Sequence, residues 1–96
     1  MLFRSFTKNE IENQLKELGN SWQYDGRKIY RDYNFISFKD AIDAFNAFCL
    51  IVEKHNHHPT FISDYNNLSV EICTHDVNGI TQKDFDLARA INKLKL

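Results

Sequence analysis

Three times along this chain a hydroxyl residue is followed three places later by an acid: Thr7 with Glu10, Ser37 with Asp40, and Thr81 with Asp84. Each is the spacing of a capping box. The hydroxyl accepts from a backbone N–H of the first helical turn and the acid returns a bond to the cap residue, satisfying donors that have no partner inside the helix. Three helix starts are thereby placed, and whatever lies between them must be short. The first helix is expected over about Lys8 to Leu18, with Ile11, Leu15 and Leu18 buried and Gly19 ending it in a left-handed conformation. The second runs from about Phe38 to Lys54. Its apolar stripe is Phe38, Ile42, Phe45, Cys49 and Val52, widened by Ala41, Ala44, Phe48 and Ile51. So broad a face suits a helix lying across a sheet, with a remainder for a partner subunit. The third, about Gln82 to Leu94, buries Phe85, Ala88, Ile91 and Leu94.

Between the helices the hydrophobic period falls to two. Ser21 to Tyr24 and Lys28 to Phe35 flank Asp25-Gly26, a hairpin signal, and the second segment alternates Ile29, Arg31, Tyr33 and Phe35 against Tyr30, Asp32 and Asn34. A second pair is expected from a short strand at Phe61 to Asp64, a turn containing Asn66-Asn67, and a strand from Leu68 to Thr74. Leu68, Val70, Ile72 and Thr74 share one face of that strand, which leaves Glu71, Cys73 and His75 on the other. The order is helix, strand, strand, helix, strand, strand, helix. Its economical solution is an α+β sandwich, a four-stranded antiparallel sheet covered on one face by three helices.

The 96 residues, 43% of them apolar, suffice for one core, so residues 1–96 are read as a single domain. A formal charge of −1 with scattered lysines and arginines gives no basic stripe, which argues against direct nucleic-acid binding. Cys49 and Cys73 lack the close pairing of a metal or redox motif and are read as reduced. Met1-Leu2-Phe3-Arg4-Ser5-Phe6 carries no leader-like apolar run and nothing approaches a membrane span, so the expected location is cytoplasmic, away from membranes.

The chemistry gathers in the histidines. His55, His57 and His58 stand immediately before Pro59, where the long helix must end, and His75 follows downstream. Imidazole has an unperturbed pKa of about 6.5, which suits it to giving and taking protons near neutrality. The bland reading is that His57 and His58 cap a helix C-terminus, where a cation is favoured. His75 weighs against it, because the strand carrying it returns from the loop that the histidine pair enters. Zinc is the weaker alternative, since the first three histidines crowd one turn and no cysteine or carboxylate completes a known ligand spacing. No metal is assigned.

These residues resemble the pterin-4a-carbinolamine dehydratases, also known in animals as dimerization cofactors of a homeodomain transcription factor. The likeness rests on Glu53-Lys54, then His57-His58-Pro59, with five residues between Pro59 and Tyr65, nine between Tyr65 and His75, and eight between His75 and Asp84. Trp22, the run from Phe35 to Asp40, Thr74-His75 and Gly79-Ile80-Thr81 support it. The resemblance implies dehydration of a 4a-hydroxytetrahydropterin to the quinonoid dihydropterin, the step that recycles tetrahydrobiopterin after an aromatic amino acid hydroxylase has used it. It implies no cofactor, a small pterin as substrate, and assembly into a homodimer or homotetramer.

By the same likeness His57, His58 and His75 line the pterin pocket, with His58 and His75 as the proton-transfer pair and His57 orienting the substrate. Pro59, Thr74 and Asp76 are implied binders, the last two through backbone groups at the strand end. Glu53 is either a pocket carboxylate or part of the polar side of the long helix, and Asp84 either a pocket residue or a helix cap. Phe61 departs from the tryptophan often found two residues after the proline, an expected change in the pocket wall. His55 has no assigned part. The competing class is a non-catalytic protein-binding or molybdopterin-related module of the same fold, using the apolar remainder of the long helix.

Overall fold

The computed structural model describes residues 4–19 and 21–95. Met1 to Phe3, part of the segment read for a leader, lie outside the described residues. The elements follow in the order α1 (Lys8–Leu18), β1 (Gln23–Tyr24), β2 (Ile29–Asn34), α2 (Phe38–His55), β3 (Thr60–Asp64), β4 (Asn67–Ile72), a single 3₁₀ turn (His75–Val77) and α3 (Gln82–Asn92). All four strands pair antiparallel in the order β1-β2-β4-β3. The expected architecture is therefore the observed one.

All three cap hydroxyls accept from the first turn of their helices, and at Thr7 and Thr81 the acid returns its bond to complete the box. The sheet presents Ile29, Tyr33, Leu68, Val70 and Ile72 to the helices, and each is buried. Ile29 faces Ile72 across the central strand pair and Tyr33 faces Leu68, and between them Arg31 faces Val70, its guanidinium lying over the Tyr33 ring, so that side of the pair is apolar but for one cation. Onto it pack Ile11 and Leu18 of α1, Ala44, Phe48 and Val52 of α2, and Phe85, Leu87, Ala88 and Ile91 of α3. Phe48 is wholly buried, and a side chain of that size contributes about 1.5–3 kcal/mol by leaving water.

Several boundaries differ from expectation for local reasons. Gly19 has φ 62° but ψ −156°, so it ends α1 through a positive φ without entering the left-handed helical well. The buried line of α2 is Ala41, Ala44, Phe48 and Val52, while Phe38 is half exposed and Ile42, Phe45 and Cys49 lie on its flank. A helix apolar over most of its circumference has no unique rotation by pattern, and the alanines allow the closest approach. The second hairpin turns at Tyr65-Asn66, with Tyr65 at φ 54° and Asp64 paired to Asn67, one residue earlier than read. β1 is cut to Gln23–Tyr24, with Ser21 at φ 70°. α3 stops at Asn92, whose side chain is engaged by Trp22 Nε1 (2.8 Å), Arg31 (3.1 Å) and the Leu18 carbonyl (3.3 Å). That residue ties α3 to α1 and the sheet.

Candidate functional site

The site is built where three chain ends meet. α2 does not run into the proline. It is closed by Asn56, which takes the left-handed conformation at φ 51°, ψ 40°, and donates its N–H to the Glu53 carbonyl at 3.3 Å. Beyond it the chain is no longer helical, and His57 and His58 are carried apart: His57 is buried and His58 exposed. The helix-capping role considered for the pair falls to Asn56, and the basic groups of the last turn are Lys54 and His55.

His57 turns inward onto Asp84, with Nε2 2.5 Å from Oδ1. Asp84 is fully buried at the start of α3, and its other oxygen accepts from the Thr81 N–H (2.8 Å) and from the Thr74 hydroxyl (2.9 Å). Thr74 and Thr81 are buried as well, their hydroxyls 2.8 Å apart. The proton bookkeeping closes: Thr74 donates to Asp84, so Thr81 must donate to Thr74, and Thr81 in turn accepts from the Lys83 N–H at 3.2 Å. Of the two readings of Asp84, the helix cap is the one its Thr81 contact provides, and the carboxylate does not line the neighbouring cavity. It caps α3 with one oxygen and fixes His57 with the other.

The third chain end is the exit of β4, which stops at Ile72 instead of reaching Thr74. Thr74 N–H donates to the Gly79 carbonyl (2.8 Å) and Gly79 N–H returns to the Thr74 carbonyl (3.3 Å), pinching residues 75–78 into the 3₁₀ turn. Asn78 completes it at φ 50°. The ladder fails here because such a closed loop satisfies its own backbone groups. His75 opens that turn, on the outward side with Glu71 and Cys73, and its ring nitrogens lie 4.0 Å from the Cys73 sulfur.

A cavity of about 200 Å³ opens on this outward side of the sheet, lined by Arg27, Lys28, His58, Thr60, Glu71, Cys73, His75, Asn78 and Gly79. It is small beside the roughly 300–1,000 Å³ of sites for drug-sized ligands, and so suits a compact ring system. Two imidazoles, His58 and His75, share it. Lys28 and Glu71 form an ion pair at 2.5 Å across the wall, and the carboxylate holds the Lys28 ammonium above its ordinary pKa. Burial, and secondarily the charge of Asp84, push the Cys73 thiol up, so it sits in the wall as a neutral group.

The sequence-derived residues divide accordingly. His58 and His75 line the cavity, whereas His57, Thr74 and Asp84 form the buried network behind it. Glu53 is exposed with a carboxylate oxygen 3.3 Å from His58 Nε2, and Pro59 and Asp76 lie outside the lining. Phe61 is turned onto Phe45 (ring centroids 4.9 Å apart, edge-on) and Phe48 (6.3 Å), so the expected change in the pocket wall falls on the helix side, and Thr60 forms the wall instead. Gly79 figures only in the family likeness, and Arg27, Lys28 and Asn78 carry no local signal for the site. Only the pairing of β2 with β4 brings the first hairpin loop beside Cys73. Among the described residues, no group of three or more His, Cys, Asp or Glu side chains is placed to hold a metal, and no helix is long and apolar enough to cross a membrane.

Known proteins resemble the chain over nearly its whole length. A protein of Christiangramia forsetii named "Putative pterin-4-alpha-carbinolamine dehydratase" is 32% identical over 93 residues, covering 97% of this chain and 95% of that protein. One of the same name from a Picosynechococcus species is 40% identical over 88 residues, covering 92% and 95%. A crystal structure described as a transcriptional coactivator/pterin dehydratase from Brucella melitensis superposes with a TM-score of 0.85 at 35% identity, over 93% of this chain and 96% of that one. A pterin dehydratase-like protein described as a RuBisCO assembly factor in the alpha-carboxysome shares the fold alone, at TM-score 0.63 and 12% identity, over 81% and 96%. The family model described as Pterin 4 alpha carbinolamine dehydratase matches residues 4–94, and the chain belongs to that family.

Proposed function

We propose that the protein dehydrates a 4a-hydroxytetrahydropterin to the quinonoid dihydropterin, with His58 and His75 as the acid and base. The observation that carries this reading is that two imidazoles open into one compact cavity. The reaction breaks the C4a–O bond. A proton must reach the departing hydroxyl, which leaves as water, and another must leave the ring nitrogen next to C4a, so the pterin loses one water and the two imidazoles end with their proton count unchanged. Groups that titrate near neutrality suit both transfers. His57 serves as a positioning residue in this scheme: with Nε2 committed to Asp84, it braces the segment that presents His58. Of the backbone from Thr74 to Asp76, the Thr74 groups are taken by Gly79, so binding of the flat edge of the pterin falls to the backbone at His75, which lines the cavity, and Glu53 holds the exposed His58 ring.

The physiological setting in this reading is recycling of tetrahydrobiopterin in the cytoplasm, and the chain works as a homodimer or homotetramer. Self-association is supported by two exposed aliphatic side chains, Ile36 just before the cap of α2 and Leu50 within it, which are 95% and 75% exposed. Light scattering on the native chain and on Leu50→Glu tests that part, and a native chain that is monomeric at every concentration rejects it. Stopped-flow dehydration of synthetic 4a-hydroxytetrahydropterin tests the chemistry. Loss of a general acid or base removes about 10²–10⁴-fold in rate, so His58→Ala and His75→Ala should each lower kcat by at least about 100-fold. Near-native turnover in both variants, or a rate flat from about pH 5 to 9, would refute imidazole acid/base work.

A further inference from the structure

The cavity carries a positive charge that a pterin ring does not need. Its lining holds Arg27, Lys28 and a single carboxylate, Glu71. Lys28 and Glu71 neutralise each other at 2.5 Å. The carboxylate nearest to Arg27 in sequence is Asp25, and it is engaged elsewhere: its Oδ1 accepts from the backbone N–H groups of Arg27 and Lys28, both at 2.9 Å. Asp25 N–H in turn donates to the Lys28 carbonyl at 3.1 Å, and Gly26 supplies the positive φ of 99° that the loop requires. The hairpin loop is thereby held in shape while the Arg27 guanidinium, among the described residues, makes no hydrogen bond or ion pair. A fixed loop presenting an unpaired planar cation at a cavity wall is suited to an oxyanion, which guanidinium binds through two parallel N–H donors.

We infer that the cavity takes a pterin whose C6 substituent ends in an oxyanion, a phosphate monoester or a carboxylate, and that Arg27 binds that group. This inference rests on the dehydratase reading for the identity of the ring. C6 adjoins N5, the nitrogen that loses its proton beside C4a. A cavity of about 200 Å³ is filled by the bicyclic ring, so the substituent must leave it past the wall. Of the lining groups, Arg27 is the cation with no internal partner to give up, and binding there costs no existing ion pair.

The test compares three 4a-hydroxytetrahydropterins, with a neutral dihydroxypropyl, a phosphate-ended and a carboxylate-ended C6 substituent, in stopped-flow dehydration by the native chain, Arg27→Gln and Arg27→Lys. A charge-assisted contact at a partly exposed site predicts a KM about tenfold lower for the anionic substrates than for the neutral one in the native chain. Arg27→Gln should bring that ratio close to one, Arg27→Lys should keep part of it, and raising the salt from about 0.05 to 0.5 M should shrink it in the native chain. The phosphate and carboxylate arms show which anion is preferred. A native ratio near one, or an Arg27→Gln variant that weakens all three substrates equally, overturns the inference. If none of the three is dehydrated, the dehydratase reading fails by itself. Calorimetric binding of the corresponding dihydropterins then still decides the anion site: retention of the ratio and its loss in Arg27→Gln support it, and equal affinities reject it.

Discussion

Replacing Asp84 separates what holds this site together from what the site does. The carboxylate accepts from His57 Nε2, the Thr74 hydroxyl and the Thr81 N–H with none of its surface in water. In Asp84→Ala, Thr74 can rotate its hydroxyl to Thr81, 2.8 Å away, but the Thr81 N–H and the His57 ring nitrogen have nowhere to turn. Each buried donor left unpaired costs about 1–3 kcal/mol, and the lost helix cap about 1 kcal/mol more. The expected destabilisation is therefore about 3–7 kcal/mol, a large part of the roughly 5–15 kcal/mol that holds a domain folded. Melting should fall by more than about 12 °C, at about 4–8 °C per kcal/mol for a domain of this size.

Asp84→Asn is the sharper variant because it keeps the volume. Its amide oxygen still accepts from Thr81 and Thr74, so the stability cost should be only about 1–2 kcal/mol, the charge-assisted part of the interaction. Its amide nitrogen, however, faces His57. A carboxylate only accepts, so Nε2 carries a proton in the native protein, whereas opposite an NH₂ group Nε2 must accept and the proton moves to Nδ1. Nitrogen-15 chemical shifts of the imidazoles report that exchange directly. Misplacing the segment that leads to His58 should lower kcat by about 10–100-fold, with KM less affected. An Asp84→Asn protein with the native His57 tautomer and native turnover, or an Asp84→Ala protein within about 1 kcal/mol of native stability, would refute the reasoning.

The Arg4 guanidinium, followed by the Thr7 backbone N–H, holds the Glu10 carboxyl down to about 2 from an ordinary 4.5. Its contribution to stability is therefore complete above about pH 4.5 and lost as the pH falls toward about 2. An NMR titration of Glu10 should show the low midpoint, with Arg4→Ala raising it, and a midpoint near 4.5 in the native chain would contradict the pairing. Burial and the nearby Asp84 keep the Cys73 thiol protonated, so on a Cys49→Ser background its alkylation at neutral pH should be slower than that of a free cysteine and should quicken in Asp84→Asn. The Tyr33 hydroxyl is buried with no hydrogen-bond partner among the described residues, so Tyr33→Phe should leave urea stability unchanged or raise it by about 1 kcal/mol. A loss of more than about 1 kcal/mol would show that the hydroxyl is bonded after all.

What could be read from the chain was what depends on neighbours in sequence. The hydroxyl-acid pairs placed all three helix starts, and the alternation from Leu68 to Thr74 sorted that segment correctly into buried residues and the outward Glu71, Cys73 and His75. Where several residues could do the same local job, the reading slipped: Tyr65 took the positive φ of the second turn, and Asn56 closed α2 before the proline could. The rotation of α2 was open for the same reason, with apolar side chains around most of it.

The histidine spacing marks residues that the fold brings together, His57 with Asp84 and His58 with His75, because it records how far the chain travels between points that meet. It did not distinguish residues that line a cavity from residues that hold its lining in place. His57 and His58 are adjacent in sequence, yet one is buried against Asp84 and the other opens to the cavity, a separation made by a single left-handed residue and a carboxylate beyond β4. Arg27 carries no signal of its own and joins the cavity only because β2 pairs with β4. Capping, turning and alternation are energies of a few bonds along the chain and are written locally, whereas which polar group is buried is decided by the partners that packing delivers, and those come from elsewhere in the sequence.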